Sequence, residues 1–415
     1  MTDHLFRRES GKMVSILTRV FGTEHLELAE DVVQQTFIDA IHVWKLKGIP
    51  DNPSAWLFRV AKNKAIDSIR RNKYAVQFDF SDSEKQLLNS EYTLSPAMDK
   101  LWQEDLIKDD LLKMMFACCH PGITQENQIT LILKTLCGFS TGEIAKAFLT
   151  AEDTVSKRLY RTKEFFREHK IELVLPPPAA LKERVNAVLN AIYLLFNEGY
   201  NSTQAEQLIR KDLMEEAMML GRLITENQYT RLPEAFALMA LMCFHSSRSE
   251  SRLTAEGEII LLPQQDRSKW DAKRIELGNA YMNEAAFGAA ITPYHIEAAI
   301  AYEHCAAPNF EQTNWQRILE LYEWLCRVAY SPIAALNKTV AILQVYGPQQ
   351  ALEALNDLAS EKGIQSYYLY HSLLGELYTQ LGRKDEAQRS FTKAINLTGS
   401  EAEKKVLGNK IAALI

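Results

Sequence analysis

Apolar residues recur at three- and four-residue steps along nearly the whole chain, the period of a helix with one buried face. Strict alternation, the mark of a half-buried strand, forms no sustained run. The pattern predicts a first helix over 5–21 and a second over Leu26–Lys47. In the second, Ala29, Val33, Phe37, Ala40, Ile41 and Trp44 form the apolar face and Glu30, Asp31, Gln34 and Gln35 lie opposite; Gly48 and Pro50 stop it. A third helix starts with Asn52 as cap and Pro53 in its first turn, where no N–H is needed. Leu57, Phe58, Ala61, Ala65 and Ile69 face inward there, and Arg59, Asn63, Asp67 and Arg70 point away.

Residues 74–98 break the pattern. They carry the acids Asp79, Asp82, Glu84 and Glu91 against Lys85 alone, and they end in Ser-Pro, which reads as a linker. Helices resume over Asp99–Ala117 and Glu126–Cys137. Ser140–Glu143 and Thr150–Asp153 both have capping-box form and predict a short helix near 141–148, a tight turn, and a longer helix from about Ala151 to His169. Val155, Leu159, Thr162 and Phe166 of the longer helix should pack on Ile144, Ala145 and Phe148. The stretch LPPPAA, Leu175 to Ala180, reads as a stiff domain boundary. Helical periodicity returns beyond it. Near the end, Leu374, Gly375, Tyr378, Ala387, Phe391 and Ala394 fall at tetratricopeptide spacings, with a more degenerate unit from Trp315 through Pro332 to about Leu358.

The expected fold class is therefore all-α. A length of 415 residues, with 47% hydrophobic and 24% charged residues, suits two to four globular domains. The first residues lack the apolar stretch of a signal peptide, and no run of 18 apolar residues exists, so the expected location is cytoplasmic, with no membrane contact. Cys118, Cys119, Cys137, Cys243, Cys305 and Cys326 form no CxxC pair and read as buried thiols in a reducing compartment. No metal site and no cofactor is expected. Adjacent Cys118 and Cys119 cannot easily both face one ion in a helix, and Walker and GxGxxG loops are missing. An enzyme is disfavoured.

The net charge of -6 says little about nucleic acid, because binding depends on local charge. Arg59, Lys62, Lys64, Arg70, Arg71 and Lys73 stand against Asp67 alone, and Lys157, Arg158, Arg161, Lys163 and Arg167 against Glu164. The second patch lies on the outer face of the predicted helix pair, where a helix-turn-helix presents its reading residues to the major groove; a solvated helical hairpin has the same periodicity. The first patch follows a short polar loop, Lys47 to Ser54, and Trp56. Cations with a nearby loop and aromatic suit unstacked single-stranded bases, although a charge run on a helix is more often a solvated face. Two further stretches, Leu195–Ser202 and Gln265–Asp271, are polar loops whose plain reading is helix-end structure.

In order along the chain, AEDVVQQTFIDAIHVWK, NPSAWLFRVAKNKAIDSIRRNK, the acidic linker and FSTGEIAKAFLTAEDTVSKRLYRTK resemble bacterial RNA polymerase sigma factors of the extracytoplasmic-function (ECF) type, in a subgroup with a C-terminal tetratricopeptide-containing extension. The resemblance covers about residues 5–172. It implies a sigma region 2 bundle over 1–75, a linker over 76–98, a region 4 helix-turn-helix over 99–174 and a helical regulatory domain over 181–415, with repeats at about 315–415. Asp31, Gln34 and Gln35 would then bind core RNA polymerase. Asn52, Trp56, Arg59, Lys62, Asn63, Arg70 and Arg71 would hold the -10 element of promoter DNA, and Thr154, Ser156, Lys157, Arg158, Tyr160 and Arg161 would read the -35 element. The linker would mimic nucleic acid in the polymerase channel. The tail is expected to contact the sigma domains and act in cis, as inhibitor or as required contact, under an unknown protein or small-molecule effector. The rival readings are a helix-turn-helix regulator that works without polymerase and carries a helical-repeat interaction domain, and a scaffold built around the repeats.

Overall fold

The computed structural model describes residues 2–71, 103–147, 150–201, 209–254, 257–288 and 290–414. Among these, everything regular is helical apart from one isolated antiparallel bridge between Leu253 and Ile259. The expected linker lies outside the described residues. Contacts divide the chain into two units: residues 1–195 with 215–230, and residues 196–214 with 231–415. The division does not fall at Leu175–Ala180, where a boundary was expected.

The first unit begins with α1 (Thr2–Phe21), α2 (Leu26–Lys47) and α3 (Pro53–Arg71). Their ends follow local chemistry. Gly48 stops α2 at φ 83, in the region open to glycine, and the Asn52 side chain accepts from the Ala55 N–H at 3.0 Å to cap α3. Met13, Ile16, Leu17 and Val20 of α1 are buried with Ala29, Val33 and Ala40 of α2 and Leu57, Ala61 and Ala65 of α3. One face assignment fails. Ile41, expected in this core, is 55% exposed, and Phe37 fills the place by stacking on Phe6 at 4.5 Å.

Next come α4 (Glu104–Cys118), α5 (Gln125–Thr135), α6 (Thr141–Ala147) and α7 (Glu152–His169). The CCHP stretch forms the turn between α4 and α5. His120 accepts from the Gly122 N–H at 3.1 Å, and Gln128 donates to the His120 and Ile123 carbonyls. Cys118, Cys119, Cys137 and Cys243 are buried and Cys305 and Cys326 half-buried; burial pushes the Cys118 thiol up to about 12. Gly11 of α1 faces the end of α5 so closely that a Cβ would stand 2.1 Å from the Leu136 carbonyl oxygen, so α1 packs directly on the end of α5. Arg184 of α8 (Pro178–Tyr200) donates to the Phe116 carbonyl. Residues 215–230, mostly in α9 (Lys211–Glu226), complete this unit.

In the second unit, α10 (Pro233–Ser247) is apolar around its circumference and buried from Glu234 to Phe244. Helices α11 (Ala272–Ala285) and α12 (Pro293–Ala306) pack on it. Then follow α13 (Trp315–Val328) against α14 (Pro332–Tyr346), α15 (Pro348–Asp357), α16 (Tyr368–Gln380) against α17 (Lys384–Leu397), and α18 (Glu401–Ala412). The α16–α17 hairpin closes where sequence spacing required it. A Cβ on Gly375 would lie 2.6 Å from the Phe391 ring, and Ala387 and Ala394 are buried beside it.

Candidate nucleic-acid interface

On α3, the inward face leaves Arg59, Asn63, Arg70 and Arg71 exposed, with Lys62 half-buried. Arg70 lies 4.0 Å from Asp67, and Arg71 donates to the Asp67 carbonyl, so the cations are held in place yet open to solvent. Trp56 is half-buried, edge-on to Trp44 at 5.4 Å. Asn52 is exposed, but its side-chain oxygen is engaged as the helix cap. Lys64 leaves the patch and pairs with Asp39 of α2 at 2.7 Å. Burial alone would raise the Asp39 carboxyl; Lys64 and Gln35 outweigh it and hold the group below its ordinary range.

The outer face of α2 presents Asp31, Gln34 and Gln35, all exposed. Ile38 at 40% and Ile41 at 55% exposure join them. Sequence reasoning missed these two isoleucines. Their only signal was spacing: Ile41 lies seven residues after Gln34 and therefore shares its face. The exposed face of α2 thus mixes polar and large apolar side chains.

The α6–α7 pair forms as a tight hairpin. The first capping box is complete: Ser140 accepts from the Glu143 N–H at 3.1 Å and Glu143 accepts from the Ser140 N–H at 2.9 Å. The second does not form. Ala151 takes the cap position and α7 starts at Glu152, which puts Thr150 one residue too early to cap it. Its N–H donates to the Ala145 carbonyl instead, and Glu152 and Asp153 favour the helix start by their charge. Val155, Leu159, Thr162 and Phe166 are buried as expected, as are Ile144 and Ala145; Phe148 lies outside the described residues. Ser156, Lys157, Tyr160 and Arg161 are exposed, and Thr154 and Arg158 half-buried.

The basic run on α7 is divided. Arg158 pairs with Glu126 at 3.1 Å. Lys163 pairs with Glu30 of α2 at 2.5 Å and Arg167 with Glu27 of α2 at 3.0 Å. Lys157 and Arg161 have no ion-pair partner among the described residues. The same packing joins Arg7 to Glu143 at 2.7 Å and Arg19 to Asp110 at 3.4 Å, and Thr23 donates to the Ile171 carbonyl. Burial pushes the Asp110 carboxyl up to about 6 against the pull of Arg19. Nearby, burial raises Glu216 of α9 to about 8; Lys12, Arg8 and Arg7 oppose the rise and Glu9 adds to it.

A family model for Sigma-70 region 2 matches residues 5–74, which span α1 to α3. The ECF RNA polymerase sigma factor SigL of Mycobacterium tuberculosis is 32% identical over 136 residues, which cover 32% of this chain and 68% of SigL. The chain belongs to the sigma factor family. The open basic face of α3 and the mixed face of α2 both lie within the residues that the region 2 model matches. A second model, described as a family of unknown function (DUF6596), matches residues 184–286. An uncharacterized protein of Rhizobium meliloti, R00370, is 35% identical over 379 residues, 91% of this chain and 88% of that one, so the region 2 bundle and most of the tail are similar in a single relative. No helix among the described residues is long and apolar enough to cross a membrane, and no group of three His, Cys, Asp or Glu stands ready for a metal ion.

Proposed function

We propose that this sigma factor binds core RNA polymerase and directs initiation at specific promoters, with residues beyond 180 acting in cis on that activity. One observation carries the reading: a single small bundle exposes two chemically different faces, mixed polar and apolar on α2 and cationic on α3. The first suits a protein partner. The second suits a nucleic-acid backbone, which one protein–DNA grip alone would need in larger measure. Asp31, Gln34, Gln35, Ile38 and Ile41 bind the polymerase. Arg59, Lys62, Asn63, Arg70 and Arg71 hold the opened -10 strand, with Trp56 beside it. Lys157 and Arg161, with Ser156 and Tyr160, read the -35 element as the second helix of a helix-turn-helix, positioned by Thr154 and Arg158. The later hairpins serve as tetratricopeptide-like repeats.

The reading requires movement. The full cationic face of α7 is available only if α7 parts from α2, because Lys163 and Arg167 are held by Glu30 and Glu27. The packed first unit is then a resting arrangement, and polymerase, by occupying α2, favours the parted one. Size-exclusion chromatography with core RNA polymerase tests the assignment. The chain is expected to co-elute with core, and Ile41→Asp to abolish co-elution without unfolding the chain. A chain that binds promoter duplex tightly but never co-elutes overturns it in favour of a regulator that works without polymerase.

A further inference from the structure

The second unit holds a cluster of charge that promoter recognition does not use. Arg248 follows the end of α10, Arg252 comes one turn later, and Arg267 sits in the loop before α11. Trp270 links two of them: its ring centroid is 5.8 Å from the Arg248 guanidinium and 5.1 Å from that of Arg267. Arg252 lies 4.0 Å over the Tyr200 ring. Tyr200, Arg267 and Trp270 come from the two polar stretches Leu195–Ser202 and Gln265–Asp271, and Arg248 and Arg252 from the segment after α10.

None of the three arginines forms an ion pair with another described residue. Arg252 donates to the Tyr200 carbonyl and to Asn201 Oδ1. Arg267 donates to the His304 and Ala307 carbonyls, both at 2.8 Å, and to Thr313 Oγ1 at 2.9 Å. These two therefore brace loops. Arg248 does not: its side chain donates to no described residue, and its Nε is buried without a partner. Arg267 Nε, Trp270 Nε1 and Ser251 Oγ are buried and unpartnered as well, with Trp270 and Ser251 each 5% exposed. Burial first, and the arginines next, push the His245 and His304 imidazoles down to about 3, so both rings are neutral near pH 7. Glu311 is the acid that bears on Arg267, and it does so without an ion pair.

Buried donors without acceptors and cations without a counterion are each unfavourable, and one buried anion would satisfy both deficits. We propose that Arg248, Arg252, Arg267, Trp270 and Ser251 form a binding site for the phosphoryl group of a small phosphorylated effector. A phosphate monoester brings nearly two negative charges and three acceptor oxygens, which matches guanidinium forks better than a carboxylate with one charge and two oxygens. Arg248, Arg252 and Arg267 are each half-buried residues, so none is sealed wholly inside the core. The site is independent of the promoter reading, because binding is measured on the chain alone.

Thermal unfolding of the full chain tests it, with inorganic phosphate as probe and sodium chloride balancing ionic strength. The wild-type Tm is expected to rise by about 3 °C at ten times the dissociation constant. Arg248→Gln should lose that rise and, without phosphate, should be at least as stable as wild type, because an unpaired cation has been removed. Arg317→Gln, a change at an exposed ion pair on α13, should keep the full rise. A wild-type rise no greater than that with chloride, an equal rise in Arg248→Gln, or an equal rise with acetate would each overturn the proposal. If Arg248→Gln does not fold, calorimetric titration of wild type decides: saturable one-to-one heat supports the site, and no heat refutes it.

Discussion

The two basic helices of the first unit carry similar charge and differ in how much of it is available. On α3, Arg59, Arg70 and Arg71 stand in solvent, and among the described residues Asp67 alone is a weak neighbour. On α7, Arg158, Lys163 and Arg167 are engaged by Glu126, Glu30 and Glu27, which leaves Lys157 and Arg161. A run of cations in a sequence thus measures capacity, and the acids folded against it decide access. In the sigma-factor reading, α3 meets DNA without rearrangement, whereas the full face of α7 opens only when the unit opens.

The largest effect expected from this contrast is on α3. Replacing Arg70 and Arg71 together by alanine should lower promoter-dependent transcription about 100-fold, while Lys157→Ala with Arg161→Ala costs about tenfold, at roughly 1 kcal/mol or somewhat more per cation on α3 and less on α7. Run-off assays at fixed salt measure both; the reverse order would break the comparison.

A smaller effect is expected at Glu216, whose carboxyl is buried and shares its surroundings with Lys12, Glu9, Arg8, Arg7 and the Cys137 thiol. The folded chain holds the Glu216 proton up to about 8, against an ordinary value of 4.5. Between those values the folded state binds more protons than the unfolded state, so stability falls as pH rises from about 4.5 to 8. Glu216→Gln should flatten that fall and add about 2 kcal/mol at pH 8, allowing for relaxation around the site. Denaturant unfolding at pH 5 and pH 8 reads it. An unchanged pH profile would mean that the packing around α1, which also brings α7 to α2, is looser than described.

The smallest effect comes from the clamp itself. Glu27→Gln with Glu30→Gln frees Lys163 and leaves Arg167 to Glu164 of its own helix, and should raise nonspecific duplex affinity about threefold at low salt and steepen its salt dependence. Fluorescence anisotropy across a salt series measures it. A flat response would show that the two ion pairs, one of them half-exposed, do not limit access.

Much of this is legible in the sequence alone. The bounds of α2 and the start of α3 follow from Gly48, Asn52 and Pro53, because backbone chemistry acts locally. The buried face of α7 and the close fit of Gly375 on Phe391 followed from spacing. Tertiary choices were not legible. Ile41 has the helical period of a core residue, and only the Phe6–Phe37 stack shows that the place is already filled. Thr150 lost its capping role through a shift of one residue. The pairing of Lys163 with Glu30 joins residues 133 apart, which no local pattern encodes. The Arg248 cluster was invisible for the same reason, since its members come from separate loops.

Helix α8 also changes how the tail must be tested. Val185, Val188 and Ile192 are buried, and residues up to 195 with 215–230 belong to the first unit. A truncation at 181 therefore removes part of that unit along with the rest of the tail, and point changes in the intact chain are the cleaner probes.

The most direct measurement is run-off transcription with purified core RNA polymerase, the full-length chain and fragmented genomic DNA. The account predicts discrete transcripts that appear only when the chain is present and fall about 100-fold with the Arg70→Ala, Arg71→Ala variant. Core polymerase that gives the same transcripts with and without the chain would contradict it.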